Sequence, residues 1–360
     1  MRVVVATVVH HPEDARIFHR QIPALVSAGH DVVYVAPAVG RDLTRPGVRH
    51  RPVIRAEGRH RIRALRFAAR VLAEESNAAD LTIIHDPELT VLTRSVKGAR
   101  IWDVHEDLPA QVGDKDWIPK WLAGTARFVA CRIEDRASSR FNLMLAEDSY
   151  ADRFSAGVVV RNTPSVPEEV TPPGDGRIVY VGRVSRNRGA QTMVDAMEIV
   201  DFDLHLNVYG PIDADIAPML RTARSNVTTH GFLANPTVLD QIEGAMAGLA
   251  LLCETENYRA SMPTKVLEYM ARGVPVVTTP NPVARQLVEE SGAGLVVPFD
   301  DPVEVVRALR RLRDPEFRAY CAENGRRAVR NGFDWSVDAQ TMLEFVDRIG
   351  RDGASARDAR

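Results

Sequence analysis

The sequence is poor in cysteine and contains no long apolar run. Its three cysteines, Cys131, Cys253 and Cys321, lack the spacing of a metal site or a disulfide framework, which favours buried free thiols in a reducing compartment. No apolar stretch approaches the ~20 residues that a membrane-spanning helix needs. A strand follows the first methionine directly, without a charged and apolar leader. These absences predict a cytoplasmic protein.

The sequence also lacks the common cofactor motifs. His10–Asp14 follows the first predicted strand in place of a glycine-rich dinucleotide turn, and no NTPase phosphate loop is present. The aspartate pairs within Asp201–Asp203 and Asp213–Asp215 are typical of solvated turns rather than of a metal site. The net charge of −2 implies no bulk attraction to nucleic acid. We therefore expect no cofactor, no metal and no nucleic-acid partner.

Apolar runs alternate with helical patterns along the whole chain of 360 residues. This βαβ repetition predicts two doubly wound, parallel-sheet Rossmann-like domains, with a proline- and glycine-rich linker between them. Ligands of such sheets bind at the carboxyl ends of the strands, so we expect a site in a cleft between the domains. The predicted parts are residues 1–165, the linker 166–176, the second domain 177–335, a helix 336–350 that packs back on the first domain, and a frayed tail 351–360.

The most informative segment runs from Pro263 to Val277. It reads as a helix that begins after a proline, stops at Gly273 and is followed by a buried strand. The helix start offers free N–H groups to an anion, with Thr264 and Lys265 beside it. Glu268 lies one turn further on the same side, where a carboxylate can bind the two hydroxyls of a ribose. The segment predicts a site for a nucleoside diphosphate.

A second segment supplies arginines at a strand end. The predicted strand Ile178–Val181 is followed by Gly182, Arg183 and Arg188. Guanidinium groups match phosphate oxygens bidentately, and a glycine lets a ligand approach the backbone. The two segments together predict a diphosphate site in the second domain.

Basic residues are concentrated in residues 45–70, which hold nine arginines and a single acidic residue, Glu57. Part of this segment also has an apolar stripe. Either it is a solvated helix face in an arginine-rich protein, or it binds anionic lipid head groups or a phosphorylated acceptor. The second alternative predicts peripheral contact with the inner face of an anionic membrane.

With these segments in order, the chain resembles the family-4 retaining glycosyltransferases of the GT-B fold (glycosyl transferases group 1) over nearly its whole length. The matching stretches are Asp14–Val32, Ile84–Leu89, Trp102–Asp107, Tyr180–Arg183, His230–Phe232, Pro263–Val277 and Gly294–Pro298. No one stretch is diagnostic, and their order makes the resemblance specific.

The resemblance implies a role for individual residues. Arg183 and Arg188 would bind the donor diphosphate, Glu268 the ribose, and the loop around Phe232 the base. Gly182, Pro263, Thr264 and Lys265 would complete the donor site. His105 would lie at the reaction centre. Asp86 and Glu106 would lie on the acceptor side.

Two departures from the family pattern accompany these assignments. Ala260 stands where the family commonly carries a first glutamate, whose role is then vacant or moved to Glu254 or Glu256. The first loop lacks the paired glycines of many members, so His11 or Arg16 would contact the donor there.

The function implied is a metal-independent, retaining transfer of a sugar from a UDP- or GDP-linked donor to an acceptor hydroxyl. The acceptor would be a glycan, lipid-linked or small molecule, in cell-surface glycan or secondary-metabolite glycoside assembly. Two alternatives stay open: a non-catalytic nucleotide-sugar-binding partner protein, motivated by Ala260, and an epimerase on the same fold.

Overall fold

The structure is a computed structural model that describes residues 1–93, 96, 98–105, 120–223, 225–259 and 261–358. Its contacts divide the chain into two compact units, Met1–Asn162 with Ser336–Arg360, and Thr163–Trp335. The predicted linker, residues 166–176, thus lies in the second unit, and the predicted helix 336–350 lies in the first. Within the described residues, no helix has the length and apolar character to cross a membrane.

The first unit is a seven-stranded sheet in the order β3-β2-β1-β4-β5-β6-β7, with all pairs parallel. Its strands are β1 Arg2–Ala6, β2 Asp31–Pro37, β3 Val48–Val53, β4 Leu81–Ile84, β5 Ala99–Val104, β6 Asn142–Leu145 and β7 Val158–Val159. A π-helical turn, Ile17–Gln21, and a 3₁₀ turn, Gly58–His60, precede the first two α-helices. These and the later helices are α1 Ile22–Ser27, α2 Arg61–Ser76, α3 Pro87–Leu92, α4 Lys120–Ser138 and α5 Asp148–Ala151. Chain order reverses between β1 and β4, which is where such sheets bind ligands.

The second unit is a six-stranded parallel sheet in the order β10-β9-β8-β11-β12-β13. Its strands are β8 Arg177–Val181, β9 His205–Tyr209, β10 Val227–Gly231, β11 Ala247–Ala250, β12 Val276–Thr278 and β13 Gly294–Val296. A 3₁₀ turn, Arg186–Arg188, follows β8. The helices are α6 Ala190–Ile199, α7 Ala217–Thr222, α8 Asn235–Ile242, α9 Glu256–Arg259, α10 Thr264–Ala271, α11 Pro282–Ser291, α12 Pro302–Arg311 and α13 Pro315–Gly332. The order reverses between β8 and β11, so the predicted arginine and glutamate segments flank the switch point.

The last helix, α14 Trp335–Asp358, packs on the first unit beyond its opening residue. A Cβ on Gly350 would lie 2.4 Å from Met1 Sδ, and one on Gly353 would lie 2.7 Å from the Cβ of Ala99. These close approaches bring the helix against the starts of β1 and β5.

Both Rossmann-like sheets agree with the fold class that the sequence predicts, but β3 was missed. Its residues read Val-Arg-His-Arg-Pro-Val, and their burial alternates between buried and exposed. The strand lies at the edge of the sheet, where one side of the backbone and one face can stay in water, so arginines are tolerated. The basic segment 45–70 is therefore partly strand and partly the helix α2.

Candidate functional site

At the carboxyl end of β8, Gly182 lies beside two cationic side chains. Gly182 has φ +113°, a conformation that residues with a side chain rarely adopt. A Cβ placed there would face Lys265 Nζ at 3.6 Å and Arg188 Nη1 at 3.7 Å. The glycine therefore allows the two cationic side chains to approach the backbone closely.

The helix α10 is fixed against this strand end by Tyr269. Its hydroxyl accepts the N–H of Val181 at 2.9 Å and donates to the carbonyl of Leu249 at 3.3 Å. The ring lies over Gly248 of β11, where a Cβ would come within 2.4 Å of it. One buried side chain thus connects α10 to both strands of the switch point.

Lys265 lies in the first turn of α10, and its side chain is directed inward. The residue is 7% exposed, and its Nζ lies 3.7 Å from the centroid of the Tyr180 ring. Within the described residues, this nitrogen has no hydrogen-bond partner. Burial lowers the pKa of the Lys265 ammonium well below its usual range, and the neighbouring Arg188 charge lowers it further. The Lys265 nitrogen could therefore donate to an anion that binds beside it.

Arg188 and Arg183 differ in how they are held. Arg188 is half-buried, and its guanidinium lies close enough to act electrostatically on both the Tyr180 hydroxyl and the Lys265 ammonium. The side chain of Arg183 is 62% exposed, and its Nε donates to Asp213 Oδ1 at 2.7 Å. Arg188 is therefore preorganised toward Gly182, whereas Arg183 would have to leave its carboxylate to meet a ligand.

Glu268 is buried one turn after Lys265. Its Oε1 accepts a hydrogen bond from Asn235 Nδ2 at 3.2 Å. Pro263 is the N-cap residue of α10, and Thr264 is its first residue, both half-buried. The Phe232 ring, which follows β10, is 47% exposed. The structure brings together Gly182, Arg188, Lys265 and Glu268 of the predicted donor residues.

In the first unit, Asp103 at the end of β5 is the centre of a buried network. Arg16 donates to its two carboxylate oxygens at 2.8 and 2.7 Å, and Gln21 donates to Oδ2 at 2.8 Å. Burial alone would raise the pKa of Asp103, but the Arg16 guanidinium holds it well below its usual range. Arg16, predicted as a donor contact, is 2% exposed and is occupied by this pair.

His105 lies beside this network and contacts His10. Its Nδ1 lies 3.1 Å from the backbone carbonyl of Asp103, and its Nε2 lies 3.0 Å from His10 Nε2. A carbonyl only accepts, so Nδ1 carries the proton of His105 and Nε2 accepts from His10. Burial, and next the charge of a protonated His10, lowers the pKa of His105 to about 3. His105 is therefore neutral at physiological pH.

Asp86 and His11, which were also predicted as site residues of the first unit, each accept hydrogen bonds within that unit. Asp86 is buried and accepts Thr7 Oγ1 at 3.0 Å and the N–H of Val8 at 2.6 Å, so it holds the loop after β1. His11 is half-buried, and its Nδ1 accepts the N–H of Glu13 at 3.1 Å. Glu106 lies outside the described residues. Asp86 thus holds the loop after β1.

His85, Asp103 and His105 offer metal-ligand atoms within 4.8 Å of one another. The donor set nevertheless fits a metal poorly, because Asp103 is already neutralised by the bidentate Arg16. A cation would have to displace that guanidinium or lie beside it. We interpret the cluster as an ion-pair and hydrogen-bond network.

Sequence reasoning missed several residues that shape these sites, namely Tyr180, Tyr269, Asn235, Asp103 and His10. Tyr180 and Tyr269 stand next to predicted site residues, and their aromatic character beside a strand end was an available signal. Asn235 meets Glu268 across 33 positions of sequence, and Arg16 meets Asp103 across 87. No local pattern shows such pairs.

The sequence of this chain is similar to a known protein family and to a characterised relative. Residues 175–314, which include the β8 and α10 segments, match the family described as glycosyl transferases group 1. The predicted resemblance is confirmed. The chain is 27% identical over 222 residues to a phosphatidyl-myo-inositol mannosyltransferase of Mycobacterium leprae (strain TN). That alignment covers 59% of this chain and 58% of the relative.

Solved structures show the GT-B fold. A sucrose-phosphate synthase from Thermosynechococcus elongatus has a TM-score of 0.73 at 17% identity, over 97% of this chain and 98% of the other. The Anabaena protein Alr3699/HepE in complex with UDP-glucose has a TM-score of 0.72 at 14% identity, over 97% and 100%. The predicted fold class is confirmed.

Proposed function

We propose that this protein is a glycosyltransferase that moves a sugar from a nucleoside-diphosphate donor to an acceptor hydroxyl. The observation that supports this most is the end of β8, where Arg188 and Lys265 lie beside Gly182 and the Lys265 nitrogen has no hydrogen-bond partner among the described residues. Glu268 follows one turn along α10 on the same side of the helix, where its carboxylate could bind a ribose. A similar structure, the Anabaena protein, was solved with UDP-glucose, which supports a nucleotide sugar as the ligand class.

In the proposed reaction, negative charge grows on the departing β-phosphate. Arg188 and the N–H groups at the start of α10 would stabilise that charge, because preorganised donors act strongly in a site from which water is excluded. The β-phosphate can take the acceptor proton, so no separate protein base is required. We propose transfer with retention, without a metal or other cofactor.

His105 would position groups rather than titrate. Its pKa of about 3 leaves it neutral, and its Nε2 accepts from His10, so it has no proton to donate through that nitrogen. The Asp103 and Arg16 pair holds the strand end that carries it. His105 would contact the transferred sugar or the acceptor only after its bond to His10 rearranges.

A panel of UDP- and GDP-linked sugars tests the proposal. Release of free nucleoside diphosphate in the presence of an acceptor, unchanged by EDTA, is expected, and NMR of the product should show the donor's anomeric configuration. Binding without turnover would favour the non-catalytic partner that Ala260 suggests. Inversion of the sugar without its transfer would favour an epimerase.

We further propose that the acceptor side meets an anionic membrane through what we call the basic face of α2 and its preceding turn. The residues of this face are Arg59, Ile62, Arg63, Arg66, Phe67 and Arg70, all exposed. Within the described part of the chain, no carboxylate pairs with these four arginines. By contrast, Arg49 and Arg51 pair with Glu75, and Arg61 pairs with Glu88. Ile62 is 66% exposed and Phe67 42%, so apolar groups accompany the charge.

Vesicle sedimentation tests the membrane proposal. The wild type should bind phosphatidylglycerol vesicles, release them in salt and ignore phosphatidylcholine vesicles. Replacing the four arginines of the basic face with glutamine should weaken binding by about 4 kcal/mol, from about 1 kcal/mol for each charge. A control that removes four exposed arginines of the second unit should bind as wild type. Its substitutions are Arg221→Gln, Arg307→Gln, Arg311→Gln and Arg330→Gln. Equal loss in both variants would contradict a specific face. Such docking would bring the protein to the inner face of a membrane, where a lipid-linked acceptor lies.

A further inference from the structure

The Lys265 nitrogen is surrounded by an aromatic ring and a second cation, and it lacks a hydrogen-bond acceptor among the described residues. From β8 it faces the Tyr180 ring at 3.7 Å, and from the 3₁₀ turn it faces the Arg188 guanidinium. Glu268, on the same helix, is the acidic group near it, and its Oε1 accepts from Asn235. Within the described residues, no oxygen accepts a hydrogen bond from Nζ.

A purely structural lysine would be held differently. Burying an ammonium without an acceptor is unfavourable, and a second cation beside it adds repulsion. The aromatic ring offsets part of this cost, but it does not satisfy the three donors of the ammonium group. A methionine of similar length would fill the same space without a charge. A ligand that supplies a negative charge would therefore explain why a lysine, and not an apolar residue, stands at this position.

We propose that Lys265 is the innermost phosphate ligand of the donor site, and that its amine becomes fully protonated only as the diphosphate enters. This inference rests on the proposed function and deepens it. An amine and a proton from solvent become an ammonium that pairs with a phosphate oxygen, so donor capture takes up at most one proton at this residue. The lowered pKa of the free Lys265 amine, caused by burial and by Arg188, supports this order of events.

The linkage between proton uptake and nucleotide binding determines whether the affinity rises or falls with pH. Where binding takes up one proton, the association constant falls tenfold for each unit of rising pH. Below the pKa of the free amine the proton is already present, and the affinity is independent of pH. The phosphate itself titrates near pH 6, so it contributes nothing at pH 8. A falling affinity between about pH 7 and 9 thus reports the amine.

Calorimetric titration at pH 8 in two buffers of different ionisation enthalpy measures the protons directly. With UDP and with GDP as probes, binding of the better-bound nucleotide should take up protons in the wild type, at most one per site. Lys265→Met should take up none and bind about 10- to 100-fold more weakly, while its midpoint of thermal unfolding should be equal or higher. Lys265→Arg, whose charge is permanent, should bind without uptake.

Arg186→Met is the matched control. Arg186 lies two residues before Arg188, but its side chain is 68% exposed and faces Asp215. This variant should match the wild type in both affinity and proton uptake. Uridine and guanosine, which lack phosphate, should produce no uptake.

The outcomes separate the two proposals. Tight nucleotide binding without proton uptake between pH 7 and 9, or equal uptake in Lys265→Met and wild type, would overturn the inference and leave the proposed function standing. Failure of both UDP and GDP to bind at millimolar concentration would overturn both.

Discussion

Replacing Arg188 with alanine should remove most of the turnover while the fold is kept. The side chain extends from a turn that contacts the segment directly after β11: the N–H of Cys253 donates to the Asn187 carbonyl at 3.0 Å, and a Cβ on Gly189 would lie 2.1 Å from Leu251 O. The Arg188 Nη1 would lie 3.7 Å from a Cβ on Gly182, so the guanidinium is held beside the strand end. Loss of one such preorganised donor typically lowers kcat by 10²- to 10³-fold, or about 2.7–4 kcal/mol of transition-state stabilisation.

The assay is kcat/KM from released nucleoside diphosphate, with the Kd of the diphosphate measured separately to divide binding from chemistry. Arg183→Ala should lose less, because that side chain is exposed and must first leave Asp213. Arg186→Ala, in the same turn but directed to solvent, should stay within about threefold of wild type. If Arg188→Ala is no worse than Arg186→Ala, the assignment of Arg188 to the phosphate is refuted.

Three further predictions follow from the same contacts. Glu268→Gln should raise the Kd of the nucleoside diphosphate about tenfold, measured by calorimetry. The midpoint of unfolding should not change, because a Gln oxygen can still accept the hydrogen bond from Asn235. Equal affinity of the variant and the wild type would show that Glu268 does not bind the nucleotide. Gly248→Ala should lower the free energy of unfolding by about 1–3 kcal/mol in urea, because its Cβ would overlap the Tyr269 ring; an unaffected midpoint would contradict the packing. His105 has a folded-state pKa of about 3, so it binds its proton more weakly than in the unfolded chain. The free energy of unfolding therefore falls on acidification below pH 6.5, by at most about 1.4 kcal/mol per pH unit. Urea unfolding of His105→Asn should show a smaller loss of that free energy between pH 6.5 and 4.5, and a slope identical to that of the wild type would contradict the prediction.

The fold could be predicted from the sequence because both sheets are parallel and most of their strands are buried. Strands such as Leu81–Ile84 and Ala247–Ala250 are continuous apolar runs, which report burial on two faces. The edge strand Val48–Val53 lacks that signal, since its arginines alternate into water. The α10 segment was predictable because a proline, a glycine and a buried strand mark it locally.

The candidate site was predictable only where its residues are close in sequence or follow a strand end. The inward direction of Lys265 depends on Tyr180, which is far away in the chain. The different states of Arg183 and Arg188 depend on Asp213, which pairs with Arg183 from 30 positions away in sequence. Periodicity gives a residue's face, but it does not say which distant group completes its surroundings.

A crystal structure with UDP or GDP bound would test the central claim most directly. The account predicts phosphate oxygens within hydrogen-bonding distance of Lys265 Nζ and the Arg188 guanidinium, beside Gly182, and ribose hydroxyls on Glu268. A nucleotide bound elsewhere, with the Lys265 nitrogen still without a partner, would contradict it.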